Sequence, residues 1–218
     1  VVTTSDAGAG VGYTGFRVRG SDPTRINVTV NGIPLNDSES QGVWWVNMPD
    51  FSSSVDNIQI QRGVGTSTNG ASAFGASVNL KTTGLNKDAY VRSSNTFGSY
   101  NTLRNNVEFG TGLLANKFAF DGRLSQISSD GYMDRATSNL RSFYLSAGYF
   151  GKNEMLKAII FSGHERTYQA WYGVPLNYLD SARTYNPYTY DNEVDNYGQT
   201  HYQLHYSKKA NENTNLNI

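Results

Sequence analysis

FRVRG (residues 16–20), VTVNGIP (28–34), MPDFSSSVDNIQIQRG (48–63) and NGASAFGASVNLKTT (69–83) are the four pieces on which the reading of this chain turns. Ile26 to Val30 alternates with a period of two, and Asn31-Gly32 supplies the two positive-φ residues that a tight type I′ turn requires. Ile33-Pro34-Leu35 then continues as an edge, because Pro34 has no N–H to give to a ladder. Ile58 to Gly63 is a second alternating strand. It is followed from Val64 to Ala76 by a run of Gly, Ser, Thr, Ala and Asn with one aromatic, Phe74. Val78-Asn79-Leu80-Lys81 closes the unit as a third strand. Taken singly, each of these signals also fits an ordinary small β or α/β module.

Read in order, the pieces resemble the C-terminal part of the plug domain of TonB-dependent outer-membrane receptors, of the Bacteroidetes-like kind. That family's plug carries an Arg-Gly pair, a strand ending in Asp-Gly-x-Pro, a strand ending in Arg-Gly, and a Gly/Ala-rich run before an Asn-centred strand. Asn31 stands where the family usually has Asp, Val64 where it has Pro, Asn69 where it has Tyr, and Ala76 and Lys81 where it has Gly and an apolar residue. These departures leave the turn chemistry and the alternation intact. The resemblance implies a mainly β fold: a partial α/β plug domain over 1–84, then antiparallel up-and-down strands of an incomplete transmembrane β-barrel over 85–218. About six to seven barrel strands are expected there.

The 218 residues carry no net charge, no Cys, 38% hydrophobic and 13% aromatic residues. A balanced charge excludes the basic footprint of a nucleic-acid binder, and the lack of Cys excludes disulfides and thiolate metal sites. No window approaches the length of a transmembrane helix, but barrel strands of about 9–11 alternating residues escape that test. The chain begins at Val1 without a signal-peptide pattern and ends at Ile218 within a strand, so both ends read as cuts in a longer polypeptide.

From Tyr90 onward, segments of about ten residues alternate between turns, the weak signature of an outer-membrane barrel. Leu103, Val107 and Phe109 oppose Arg104, Asn106 and Glu108; Phe118, Phe120 and Leu124 oppose Asp121, Arg123 and Ser125. Phe143, Leu145, Ala147 and Tyr149 oppose Ser142, Ser146 and Gly148, with Tyr144 on the polar side, and Tyr202, Leu204 and Tyr206 oppose His201, Gln203 and His205. Met155 to Ser162 is apolar on both faces and has no readable orientation. Short connections at 111–116, 151–154 and 208–213 alternate with longer ones at 128–139 and 165–196, with the short turn 98–102 as an exception. Aromatics near segment ends, Tyr90, Phe97, Tyr149, Phe150, Phe161, Tyr197 and Tyr206, suit interfacial girdles. A soluble sandwich with one wet face alternates too, whereas an open sheet in lipid leaves edge groups unpaired and requires further strands to close.

By the resemblance, Arg19 and Arg62 match the family's Arg-Gly positions and are expected to form plug–barrel ion pairs with glutamates on later strands. Trp44-Trp45 is an adjacent aromatic pair whose members point opposite ways on an extended segment; either one packs while the other faces a vestibule, or both are core. With the aromatic loop residues Tyr168, Trp171 and Tyr172, they are the candidate substrate contacts. Other aromatics of that loop are Tyr178, Tyr185, Tyr188 and Tyr190, and the loop also reads as a self-packed cover of the barrel mouth. On a strand, His201 and His205 share a face about 13 Å apart and cannot hold one ion. No metal site, cofactor or catalytic constellation is expected, and no enzyme activity.

The expected function is therefore energy-coupled uptake of a scarce nutrient, such as a metal-siderophore, haem or cobalamin, at the bacterial outer membrane. The expected partners are outer-membrane lipid, a small nutrient ligand, and the inner-membrane TonB energy-coupling protein acting through a preceding part of the plug. Glycan import is an alternative substrate class, although that branch usually carries a Lys-Asp-Ala-Ala run where this chain keeps Arg62-Gly63. A surface-exposed β-rich adhesin or binding module without transport is the alternative of a different class.

Overall fold

The computed structural model describes residues 2–5, 8, 10–64 and 73–218. A two-stranded ribbon of β1 (Val2–Ser5) and β2 (Thr14–Arg17) opens the chain. It leads into a four-stranded sheet built from β3 (Ile26–Val30), β4 (Ile33–Pro34), β5 (Val55–Arg62) and β6 (Ala76–Thr82). The spatial order is β4-β3-β6-β5, with β3 parallel to β6 and the other pairs antiparallel. Asn31 and Gly32 both take positive φ, 55° and 84°, making the expected tight turn, and the Pro34 segment lies at the sheet margin. The Gly-rich run at 65–72, including Asn69, lies outside the described residues.

Alternation in β3 separates an apolar from a polar face, and both are buried. Ile26, Val28 and Val30 enter the core with Ala76, Val78 and Leu80 of β6. On the other face the Thr29 hydroxyl donates to Asn79 Oδ1 at 2.7 Å. Ile58 and Ile60 of the edge strand β5 continue the apolar face but remain exposed.

The second part is one antiparallel sheet in sequence order: β7 (Ala89–Gly98), β8 (Thr102–Thr111), β9 (Phe118–Ser129), β10 (Ser138–Phe150), β11 (Glu154–Tyr168), β12 (Val194–Asn211) and β13 (Thr214–Asn217). The expected parity holds along it. Asn106, Asp121, Arg123 and Ser146 are buried, whereas Val107, Phe120, Leu124, Leu145, Tyr202 and Leu204 are exposed on the opposite face.

The four-stranded sheet with the segments around it, called the plug for its resemblance, packs on the first of these faces of the seven-stranded sheet, called the wall, and this orients β11, which the sequence left unreadable. Ile159 and Phe161 of β11 are buried with Tyr144 in the core formed with the plug, while Leu156 is exposed. Phe51 meets Phe161 with ring centroids 4.9 Å apart. Each such burial stabilises by about 1.5–3 kcal/mol, which is why an inward position that is usually polar carries Tyr144, Ile159 and Phe161. Phe161 is thereby removed from the aromatic girdle expected for it, since it stacks on His201 in the interior, centroids 4.5 Å apart. Tyr90 also departs from the girdle: it faces the interior, where its ring lies over Gly110 beside Asp121.

The long connection is shorter than expected, running from 169 to 193, because β11 extends to Tyr168 and β12 starts at Val194. Buried Asn186 organises it: its Nδ2 donates to the carbonyls of Asp134 and Gln169 at 3.0 and 2.9 Å, and its Oδ1 accepts from the Tyr188 N–H. Arg135 adds bonds to the carbonyls of Asn186 and Tyr188. The loop is thus tied to the β9–β10 connection, and Trp171, Tyr172 and Tyr190 remain exposed on it.

Candidate functional site

Where the plug meets the long-loop end of the wall there is an open cavity of about 540 Å³. Plug residues Tyr13, Asp37, Glu39, Trp44 and Asn47 line one side, and Glu165, Trp171, Asp195, Tyr197 and Gln199 the other. Trp44 and Trp171 both set their rings edge-on to Tyr13, centroids 6.3 and 5.8 Å away. The Tyr13 hydroxyl is shared between Glu165 Oε1 at 3.2 Å and Asp195 Oδ2 at 3.1 Å, so one plug side chain bridges β11 and β12. Burial, followed by the two neighbouring carboxylates, pushes the Tyr13 phenol well above its ordinary range and keeps it a donor. The Asp37 carboxyl is held below its usual range by hydrogen bonds from the Ser40 backbone and hydroxyl and from the Glu39 N–H, so it faces the cavity ionised.

The second constellation anchors the plug. Asp50 sits at φ 55°, a left-handed conformation that Asp tolerates better than most residues. Its Oδ1 accepts from Arg104 Nε at 2.9 Å and Ser53 Oγ at 2.8 Å; its Oδ2 accepts from Asn106 Nδ2 at 2.7 Å and Ser125 Oγ at 2.6 Å. An Arg123 guanidinium nitrogen lies 3.5 Å from Oδ2, and Arg123 Nε donates to Ser54 Oγ at 2.7 Å. Ser142 of β10 completes the set by donating to the Pro49 carbonyl at 2.6 Å. Burial alone raises the Asp50 carboxyl, but the bonds from Arg104, Ser125, Asn106 and Ser53 outweigh it and hold the carboxyl below the ordinary range. One short plug turn therefore grips three adjacent wall strands.

The structure brings together part of the expected site. Trp44 is half-exposed in the cavity, while Trp45 packs at 5.5 Å on Phe16 against the core, so the adjacent pair divides between the two environments. Trp171 reaches the same cavity; Tyr172 lies beside it, 5.5 Å from Tyr188. Tyr168 belongs to the end of β11, where its hydroxyl donates to the Tyr190 carbonyl at 2.9 Å rather than lining the cavity. Arg19 and Arg62 are exposed, and neither forms an ion pair among the described residues. His201 and His205 both face the interior. No group of His, Cys, Asp and Glu suited to a metal ion occurs among the described residues.

Sequence reasoning did not find Tyr13 or Asp50. Tyr13 stands in the glycine-flanked run Gly10-Val11-Gly12-Tyr13-Thr14-Gly15, and Asp50 in Met48-Pro49-Asp50-Phe51. A lone aromatic among glycines and an Asp after Pro are weak signals, because their partners are between 54 and 182 residues away.

Residues 1–77 match the sequence model of the TonB-dependent Receptor Plug Domain family. Among solved structures, the chain is similar to the open form of the ferric-catecholate import receptor Fiu from E. coli K12, at TM-score 0.75 and 17% identity over 96% of this chain and 33% of that one. It is similar to P. aeruginosa FpvA bound to heterologous pyoverdines, at TM-score 0.74 and 14% identity over 91% and 27%. The siderophore receptor PiuA from Acinetobacter baumannii matches at TM-score 0.71 and 15% identity over 96% and 31%. The chain thus spans about a third or less of the length of these structures. No curated protein matches it.

Proposed function

We infer, for a chain that is part of a TonB-dependent receptor and holds its plug domain with the adjoining strands of an outer-membrane β-barrel, a role in uptake of a small ligand. The observation that carries this reading is the aromatic cavity of Tyr13, Trp44 and Trp171 between the plug and the long-loop end of the wall. A ligand seated there touches both the movable plug and the fixed wall, so its arrival is felt where the plug is held.

The ligand class supported best is a metal chelate or similar scarce nutrient, in keeping with the siderophore receptors that share the fold. The exposed apolar face of Val107, Phe120, Leu124, Leu145 and Leu204 meets outer-membrane lipid. The inner-membrane TonB protein supplies the pull on the plug. Arg19 and Arg62 pair with carboxylates elsewhere in the barrel, bidentate contacts that are strong yet releasable.

Accumulation of radiolabelled ferric chelates by cells expressing the full-length receptor tests the reading. Uptake that collapses with a protonophore, and that falls at least about tenfold in a Trp44→Ala, Trp171→Ala double variant, supports it. Accumulation indifferent to both treatments sinks it.

A further inference from the structure

The outward face of the wall changes character along its length. On β11 the outward positions run from Glu154, at a short turn, to Arg166, close to the long loop. Between Glu154 and His164 they are Leu156, Ala158, Ile160 and Ser162, all uncharged. These ten residues of strand span about 33 Å, or about 25 Å of height at a barrel tilt of about 40°, which is the height of an outer-membrane apolar band. The band is edged at one end by Glu154, which faces Lys208 in register, and at the other by a row of different charge.

That second row is basic and contains no acid. Arg141 of β10 faces His164 of β11 directly, and Arg166 is its diagonal neighbour, about 7–8 Å away. All three are exposed, and neither arginine forms a hydrogen bond or ion pair among the described residues. From the Glu154–Lys208 row to the loop end, no outward position of β7 to β12 carries Asp or Glu. Glu193, beyond Tyr168 in the loop, is occupied by the Tyr168 hydroxyl and the Tyr190 N–H. An independent observation adjoins the row: an open groove of about 470 Å³ on the same outward face. Val107, Leu124 and Phe143, one register row closer to the band, give it an apolar floor, and Arg141 and His164 stand at its rim. The other rim groups, Asn105 and Gln126, are neutral amides that can donate to an anion.

Resting on the reading that this face meets outer-membrane lipid, we propose that the row and the groove seat one outer-leaflet lipid with a phosphorylated headgroup. Arg141 and Arg166 take the phosphate oxygens, His164 and Gln126 add donors, and an acyl chain lies over Val107, Leu124 and Phe143. Guanidinium groups match phosphate oxygens bidentately, and unbalanced cations at a membrane boundary attract anionic headgroups. The long connection from 169 to 193 puts this row on the outer side of the membrane, because extracellular loops are the longer ones. At the opposite edge of the band Glu154 offsets Lys208, and no such excess exists within that row.

The test uses the purified full-length receptor in a neutral detergent, with retained lipid counted by native mass spectrometry. The probes are phosphorylated lipid A, the same lipid after removal of its phosphate, and inorganic phosphate as competitor. The phosphorylated form is expected to bind at least about tenfold tighter than the dephosphorylated one, and to lose that advantage in an Arg141→Gln, Arg166→Gln double variant. Both positions are exposed, so the double variant is expected to fold, and the comparison of the two lipids on the unaltered protein stands without it. Lys208→Gln, at the opposite edge of the band, is expected to leave binding as it is. Equal binding of the two lipids, an advantage that survives in the double variant, an equal loss in Lys208→Gln, or displacement by millimolar inorganic phosphate overturns the proposal. Failure of the receptor reading shows separately, as absence of the protein from the outer-membrane fraction before any lipid is added.

Discussion

The Asp50 carboxylate in the plug accepts from the Arg104 guanidinium of β8 across 2.9 Å, with the Asp50 side chain 6% exposed and that of Arg104 23%. The polarity is the reverse of the ion pairs expected for Arg19 and Arg62: the acid is on the plug and the bases are on the wall. A carboxylate has acceptor sites for four or more donors, so this single acid is gripped from β8 and β9 at once, while β10 holds the same turn through Ser142 and the Pro49 carbonyl.

Replacing Asp50 by Asn leaves Arg104 and the buried Arg123 without their counter-charge. Breaking a buried pair on one side costs about 3–5 kcal/mol. In the full-length protein, Asp50→Asn is expected to raise hydrogen exchange across 48–54 and to leave β12 unchanged. Unaltered exchange in the plug turn contradicts the anchoring role.

The pH dependence follows from the lowered Asp50 carboxyl. An Asp in the unfolded chain titrates near about 3.9; a lower value in place means that the stabilisation is fully present above that pH and is lost as pH falls through the folded value. Plug anchoring is therefore expected to be flat from neutrality to about pH 4 and to weaken below it. Limited proteolysis of the plug against pH should show this acid step in the unaltered protein and lose it in Asp50→Asn.

Gly163 of β11 lets the wall approach the plug backbone closely. A Cβ there meets the Asn47 carbonyl and the Pro49 ring at distances no side chain tolerates. Neither can swing aside, so Gly163→Ala is expected to cost about 1–3 kcal/mol by overpacking. Gly173→Ala, with nothing within 4 Å, serves as the neutral comparison. Equal melting temperatures for the two variants would refute the close approach.

Tyr13→Phe removes only the hydroxyl shared by Glu165 and Asp195. Losing a donor to charged groups costs about 1.5–3 kcal/mol, and the aromatic contacts to Trp44 and Trp171 remain. Faster exchange around 10–17 together with an unchanged tryptophan emission maximum is the expected pattern; a shifted maximum would mean that the ring itself has moved.

How far the sequence could be read varies by element. The Asn31-Gly32 turn was legible because its chemistry lies in two adjacent residues. Asn31 also accepts from the Thr82 N–H at 3.0 Å and donates to Gln203 Oε1 at 2.9 Å. Nothing local announces those partners. In β8, β9, β10 and β12 the alternation showed which side chains face outward and which face the interior. In β11 it did not, because Ile159 and Phe161 face an apolar plug sheet. The sequence left open whether Trp44 and Trp45 divide or both enter the core; Trp45 opens a short 3-10 turn and packs on Phe16, while Trp44, just before that turn, stays in the cavity.

By itself the sequence determined the turns, the strand periods and the kinship of the plug, since all three are written over spans of a few to tens of residues and rest on backbone geometry. Tertiary structure alone decided the anchor at Asp50, the bridge at Tyr13 and the aromatic cavity beside it. Each joins groups far apart in the chain, and their energies arise only when docking excludes water from between plug and wall.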